Sequence, residues 1–224
     1  MAHEGVIGVF DWTGINWQVD VHVIDSANAE RLRTLRDYGW LTLTLSTTSL
    51  AEIDGTRDEV KRDRLMDTAM KFPISRGSFV LDHSVLRMDF LATQADDERL
   101  RWVFAALWPM RSFEADARGD TRKGRTAFRD AKQVSDAIRN AFDSVVTCDR
   151  ELIAASARSE LDVQLICVRS ATQCSVEAVA RALRLQALGS PYYAGRVPPT
   201  WPTLEECGEL LASPVPECSS RGCP

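Results

Sequence analysis

The feature that most constrains this chain is an alternation of short apolar runs with stretches of helical period. Leu41-Thr42-Leu43-Thr44-Leu45 alternates strictly and predicts a strand. Ser144-Val145-Val146-Thr147 and Leu161 to Val168 read as buried strands. Val6 to Phe10 and Val19 to Ile24 are two further runs, and Phe79-Val80-Leu81 is a short one. Between these, residues 28–38, 57–71, 97–108, 131–140 and 175–185 read as helices. The clearest places Val134, Ala137, Ile138 and Ala141 at i, i+3, i+4 and i+7. Thr47 or Thr48 can cap a short helix carrying Leu50 and Glu52, which Gly55 ends. Strands that alternate with helices predict an α/β domain, with a central, mostly parallel sheet flanked by helices in three layers. The domain is expected over residues 1–185. Residues 186–224, rich in Pro and Cys, read as a C-terminal appendage with one short helix near Leu204 to Leu211.

Composition excludes several classes. The 27 Lys and Arg against 32 Asp and Glu give a net charge of −5. Such a chain is no general phosphate-binding surface, so any nucleic-acid contact is a local patch. No apolar run approaches the roughly 18–20 residues that span a bilayer. Met1-Ala2-His3-Glu4 opens no secretory pattern, and none is expected. The six cysteines form no CxxC pair and read as reduced thiols of a cytoplasmic protein. His3, His22 and His83 are scattered, and the sequence has no GxGxxG, Walker loop or GxSxG.

In a parallel α/β sheet a ligand site lies beyond the carboxyl ends of the strands. Here those ends carry acids. Asp11 follows Val6–Phe10, Asp25 follows Val21–Ile24, and Asp149 stands just past Thr147. Asp130 lies four residues before Val134 on the apolar stripe of its helix, and Glu52 lies on the short helix after the Leu41–Leu45 strand. An acid on a core-facing stripe is costly unless it is paired, capping or bound to a cation. Several converging acids cannot all ionise without one. Hard carboxylate oxygens suit Mg²⁺ or Mn²⁺. Each acid also has a plainer reading. Asp130 can cap its helix, and Asp25 can cap the 28–38 helix. Asp136, Asp143 and Glu151 read as surface charges or turn formers. Residues 111–126 read as a polar surface loop. Within and after it, Arg118, Arg122, Lys123, Arg125 and Arg129 form either a local phosphate patch or a solvated face. Trp12, Trp17 and Trp40 either stack on bases or pack in the core.

Taken in order, this set resembles the PIN domain family of metal-dependent nucleases. The most specific stretch is Arg129-Asp130-Ala131-Lys132-Gln133-Val134-Ser135-Asp136-Ala137-Ile138, continuing to Val145-Val146-Thr147-Cys148-Asp149-Arg150-Glu151-Leu152. Asp130 and Asp149 stand 19 positions apart, close to the family's spacing. Ser46-Thr47-Thr48-Ser49-Leu50-Ala51-Glu52 is similar to the family's segment that ends in a glutamate. The first acid departs from the pattern. The family follows its first strand with Asp-Thr-Asn or Asp-Ser, whereas Trp12 follows Asp11. Asp25-Ser26 matches that motif better, but the spacing to Glu52 favours Asp11.

The resemblance implies a three-layer PIN-like fold and a metal-dependent ribonuclease. Asp11, Glu52, Asp130 and Asp149 would be its catalytic and metal-binding acids, holding Mg²⁺ or Mn²⁺, with Thr147 bonding an acid at the strand end. RNA would be the substrate and the cytoplasm the location. The resemblance also admits a toxin paired with an antitoxin or other protein partner, and an oligomer. The competing expectation is a non-catalytic PIN-like module that binds a protein or RNA. A phosphatase with an aspartyl nucleophile would need a DxDx[TV] motif, which is missing after Asp11.

Overall fold

The computed structural model describes residues 15–24, 29–80, 88–159 and 167–196. The first strand is β1 (Asn16–Val19), followed by a single helical turn, α1 (Val21–Ile24), and by α2 (Ala29–Asp37). Next come β2 (Thr42–Ser46), α3 (Thr47–Asp54), α4 (Glu59–Ala69) and the two-residue strand β3 (Ile74–Ser75). Three helices then run in succession: α5 (Gln94–Leu107), α6 (Phe113–Ala117) and α7 (Arg122–Arg139). The chain closes with β4 (Ser144–Thr147), α8 (Arg150–Arg158), β5 (Cys167–Ser170), α9 (Ala171–Ala187) and a 3-10 turn at Pro191–Tyr193.

The strands form one all-parallel sheet in the order β3-β2-β1-β4-β5. Its two faces bury separate cores. On one face Trp17, Val19, Leu43, Leu45 and Val146 pack with residues of α1, α2, α3, α4 and α9. On the other, Val145 packs with residues of α5, α7 and α8. The protein is therefore a three-layer α/β fold, with helices over both faces of a parallel sheet. The connections from β1 through β2 to β3 run on the first face, and those from β3 through β4 to β5 run on the second. The switch between them falls at the junction of β1 and β4, where such sheets open a crevice beyond the strand ends.

Several expectations change. The alternation from Val19 to Ile24 does not continue as a strand. Pairing with β2 and β4 stops at Val19, and Val23 N donates to Asp20 O at 3.0 Å, turning the chain into α1. Residues 111–126 are not a loop. Ser112 and Thr121 cap α6 and α7 by accepting from Ala115 N and Gly124 N. Phe113 anchors α6 between Phe104 and Phe128, with ring centroids 5.4 Å away in each case. One aromatic secures an otherwise polar segment, which periodicity alone does not register. Phe79 and Val80 are not in a strand, although Ser78 makes an isolated bridge with Phe90. The Val6–Phe10 run, Asp11, Asp25, Trp12 and the helix expected near Leu204 to Leu211 lie outside the described residues.

The expected domain edge at 185 falls within α9. Beyond it, Tyr193 is buried in the first core, against Trp40. Its hydroxyl donates to Trp40 O at 2.9 Å and accepts from Ile15 N at 3.1 Å. The turn after α9 thus ties to the residues that lead into β1 and into β2, and Trp17 and Trp40 are core residues. Tyr193→Phe strands the buried Ile15 N–H, so it is expected to cost about 1–3 kcal/mol. Urea denaturation checks this. An unchanged midpoint would show that the hydroxyl holds nothing.

Candidate functional site

Asp20 immediately follows β1, at the switch point. Its N–H still donates to Val146 O of β4 at 2.9 Å, which fixes its backbone against the neighbouring strand. Thr147, the last residue of β4, donates its hydroxyl to Asp20 Oδ2 at 2.7 Å. The same hydroxyl accepts from Asp149 N at 3.0 Å. One buried threonine therefore fixes the carboxylate after one strand and the backbone of the acid after the next. The expectation that Thr147 bonds a strand-end acid is met, with Asp20 as its partner.

Asp149 is the N-cap of α8. Its Oδ1 accepts from Glu151 N at 2.7 Å and Leu152 N at 3.1 Å. These two bonds fix its carboxylate against the first turn of α8. Glu52 projects from the middle of α3. That helix starts directly at the end of β2, where Ser46 Oγ accepts from Ser49 N at 3.1 Å. Asp130 sits in the middle of α7, eight residues after its first residue, and so cannot cap it. Asp20, Glu52, Asp130 and Asp149 thus come from four places in the chain to the carboxyl edge of the sheet. Of the four expected acids, Glu52, Asp130 and Asp149 are brought into mutual electrostatic reach. Asp11 lies outside the described residues, and the acid at the end of β1 is Asp20.

Asp20 was open to detection. Ile15-Asn16-Trp17-Gln18-Val19 alternates as strictly as Leu41–Leu45 and ends on an acid. Its signal merges with the alternation of Val19 to Ile24, and only strand pairing separates the two.

The electrostatics follow from the convergence. Burial, then the negative charges of Asp20 and Asp149, push Glu52 from about 4.5 up to about 8, against the opposing pull of Arg129. Burial raises Asp130 well above the usual carboxylate range, with added repulsion from Glu52, Asp149, Asp20 and Glu151. Among the described residues, no three His, Cys, Asp or Glu side chains stand close enough together to enclose an ion. The donor set itself, four hard-oxygen acids that cannot all ionise unaided, fits Mg²⁺ or Mn²⁺.

Beside the acids lies a second polar group that the sequence reading did not foresee. Lys132 is fully buried; its Nζ lies 2.7 Å from Asp136 Oδ2, 3.1 Å from Thr48 Oγ1 and 3.7 Å from Asp89 Oδ2. Ser78 donates to Asp136 Oδ1 through both N and Oγ, at 3.0 and 3.1 Å. Asp89 Oδ1 accepts from Thr47 Oγ1 and from Gly77 N. Asp136 is therefore no surface charge. It is the buried centre of a network that joins the start of α3, the segment around Gly77 and α7. Gly77 is required there, because a Cβ would fall 2.0 Å from Asp136 Oδ2. Asp143 likewise holds structure, accepting from Asn16 N at 2.7 Å and pairing with Arg181 at 3.0 Å. A Lys–Asp pair four apart usually reads as a solvated surface pair, and only the covering segments bury this one.

A comparison with models of known protein families and a comparison with curated proteins each found no match.

The pH dependence of the protein follows directly. An acid whose pKa is raised on folding binds more protons in the folded state. Its contribution is present below the unfolded value near 4.5 and is lost as pH rises through about 8. Each unit of that rise corresponds to about 1.4 kcal/mol. Thermal unfolding in EDTA is expected to show falling stability from pH 5 to 8, and Glu52→Gln is expected to flatten that decline. A wild-type profile that rises over this range, or one that Glu52→Gln leaves unaltered, would contradict the assignment.

Proposed function

We propose that the chain is a divalent-metal-dependent ribonuclease that hydrolyses phosphodiesters at the Asp20–Glu52–Asp130–Asp149 cluster. The observation that carries this reading is the convergence of four acids at the β1–β4 switch point, two of them fixed through one threonine hydroxyl. An acid cluster in a parallel-sheet crevice has no use as a hydrophobic anchor and weakens the metal-free fold. Its chemistry matches a divalent cation, and the sequence resemblance to PIN domains points the same way.

Asp20, Glu52, Asp130 and Asp149 are the residues that would hold Mg²⁺ or Mn²⁺. When bound, such an ion supplies charge neutralisation at a phosphodiester and activation of water. The chain's own groups do the rest. Thr147 keeps Asp20 turned toward its neighbours. The N-terminal amides of α8 hold the Asp149 carboxylate in place. Arg129 is the positive group nearest in effect to Glu52 and opposes its protonation. Association with a protein partner such as an antitoxin, residence in the cytoplasm and self-association belong to the same proposal. No helix among the described residues is long and apolar enough to cross a membrane.

The experiment is cleavage of a labelled single-stranded RNA in Mn²⁺ or in EDTA. Cleavage is expected only with the metal. Thr147→Val removes a group that supports the acids without being one of them, so it is expected to lower metal affinity about 10–100-fold. Asp130→Asn and Asp149→Asn remove the acids themselves and should cost more than that. Asparagine is a neutral isostere of an acid whose charged form burial disfavours, so folding should survive, as circular dichroism can verify. A folded wild type that cleaves nothing with metal, while still binding RNA, would favour the non-catalytic module instead.

A further inference from the structure

The acid cluster would repel the polymer that the proposed function assigns to it, so the approach of a phosphate backbone needs a cationic path. We infer that the N-terminal half of α7 is that path: a phosphate track for single-stranded nucleic acid leading to the acids, with Arg129 at its inner end. The inference rests on reading the cluster as a phosphodiester site and adds where the strand lies.

Three observations carry it. Arg122, Arg125 and Arg129 recur at i, i+3 and i+7 on α7, so they share one stripe of the helix that also bears Asp130. Seven residues at 1.5 Å each make that stripe about 10 Å long. Lys123 stands seven residues before Asp130 and lies close to its side of the helix.

The second observation is a contrast in pairing. Neighbouring arginines are used up in ion pairs: Arg101 with Asp97 and Glu114, Arg111 with Asp116, Arg118 with Asp120. Arg122, Lys123 and Arg125 are exposed and have no ion pair among the described residues. On a chain with net charge −5, an unneutralised cationic stripe is a local exception.

The third lies at the inner end. Arg129 is half-buried and feels the Glu52 charge, and its buried Nε has no hydrogen-bond partner among the described residues. A buried donor left unmade is costly, and a phosphate oxygen arriving along the stripe would satisfy it. An acidic peptide would match the exposed charges but brings no phosphodiester to the acids at the inner end of the stripe. The continuity from stripe to acids therefore favours a phosphate backbone.

The test is fluorescence anisotropy of a labelled single-stranded RNA twelve nucleotides long, in EDTA, across 20–300 mM KCl. EDTA removes catalysis from the readout, so an inactive acid cluster leaves this measurement intact. Each single-strand phosphate contact contributes about 0.7 to the log–log salt slope. The triple variant Arg122→Gln, Lys123→Gln, Arg125→Gln is expected to flatten the slope by about 2 and to weaken binding at low salt about 10–100-fold. A control triple, Arg33→Gln, Lys61→Gln, Lys71→Gln, removes the same charge from α2, α4 and the turn after α4, and should bind as the wild type does. Arg129→Gln should weaken binding, and Arg129→Lys should restore it only in part, since lysine lacks the planar fork. The inference is overturned if the wild type does not bind, if both triples lose affinity equally, or if polyglutamate binds as tightly as the RNA.

Discussion

Desolvation of carboxylates packed within reach of one another, with their mutual repulsion added, is the constraint on which the account of this protein depends. A parallel sheet built in the order β3-β2-β1-β4-β5 must change the side of its connections between β1 and β4. At that junction the chain places Asp20 and Asp149 rather than the apolar residues that fill both faces of the sheet. Helices α3 and α7 then add Glu52 and Asp130 from the two flanking layers. The packing that orders the layers thereby brings the four acids within electrostatic reach of one another, and burial together with their mutual repulsion raises Glu52 and Asp130 above the usual carboxylate range. Stability, pH response and proposed chemistry all derive from that one arrangement.

Holding such groups together needs a rigid frame. Asp20 and Asp149 gain theirs from Thr147, whose hydroxyl donates to one and accepts from the other's backbone. Glu52 and Asp130 lie on different helices, and the buried Lys132–Asp136 pair links those helices through Thr48. Buried pairs are not in general a source of stability, because desolvation offsets their attraction. Removing one partner is another matter and costs about 3–5 kcal/mol. The pair is better understood as fixing α7 against α3 and the Gly77 segment in a single register. Gly77, where any side chain would meet the Asp136 carboxylate, shows how closely that register is set.

Much of this was legible in the sequence. The alternation of Leu41–Leu45, the apolar stripe of α7 and the run Ser144–Thr147 each became the element they predict. Glu52, Asp130 and Asp149 were identified as members of one set by their positions relative to those elements. The rest was hidden for physical reasons. Asp20 sits where two alternating patterns overlap, and hydrogen bonding to β2 and β4 decides which is a strand. The first half of α7 looked like a loop because its apolar content is low until Ala127 and Phe128. Lys132 and Asp136 are buried by residues distant in the chain, and local periodicity carries no information about those. Tyr193 belongs to the core through bonds to Ile15 and Trp40, more than 150 positions away in sequence.

The central claim is that the four acids form one divalent-cation site. The most direct test is calorimetric titration of the metal-free protein with Mn²⁺ near pH 7, in two buffers of different ionisation enthalpy. The account predicts binding with release of protons, since carboxyls whose charged forms burial and neighbouring acids disfavour must lose their protons to coordinate. It further predicts that the double variant Asp130→Asn, Asp149→Asn stays folded and loses that binding. No binding by the wild type, or equal binding by the double variant, would contradict it.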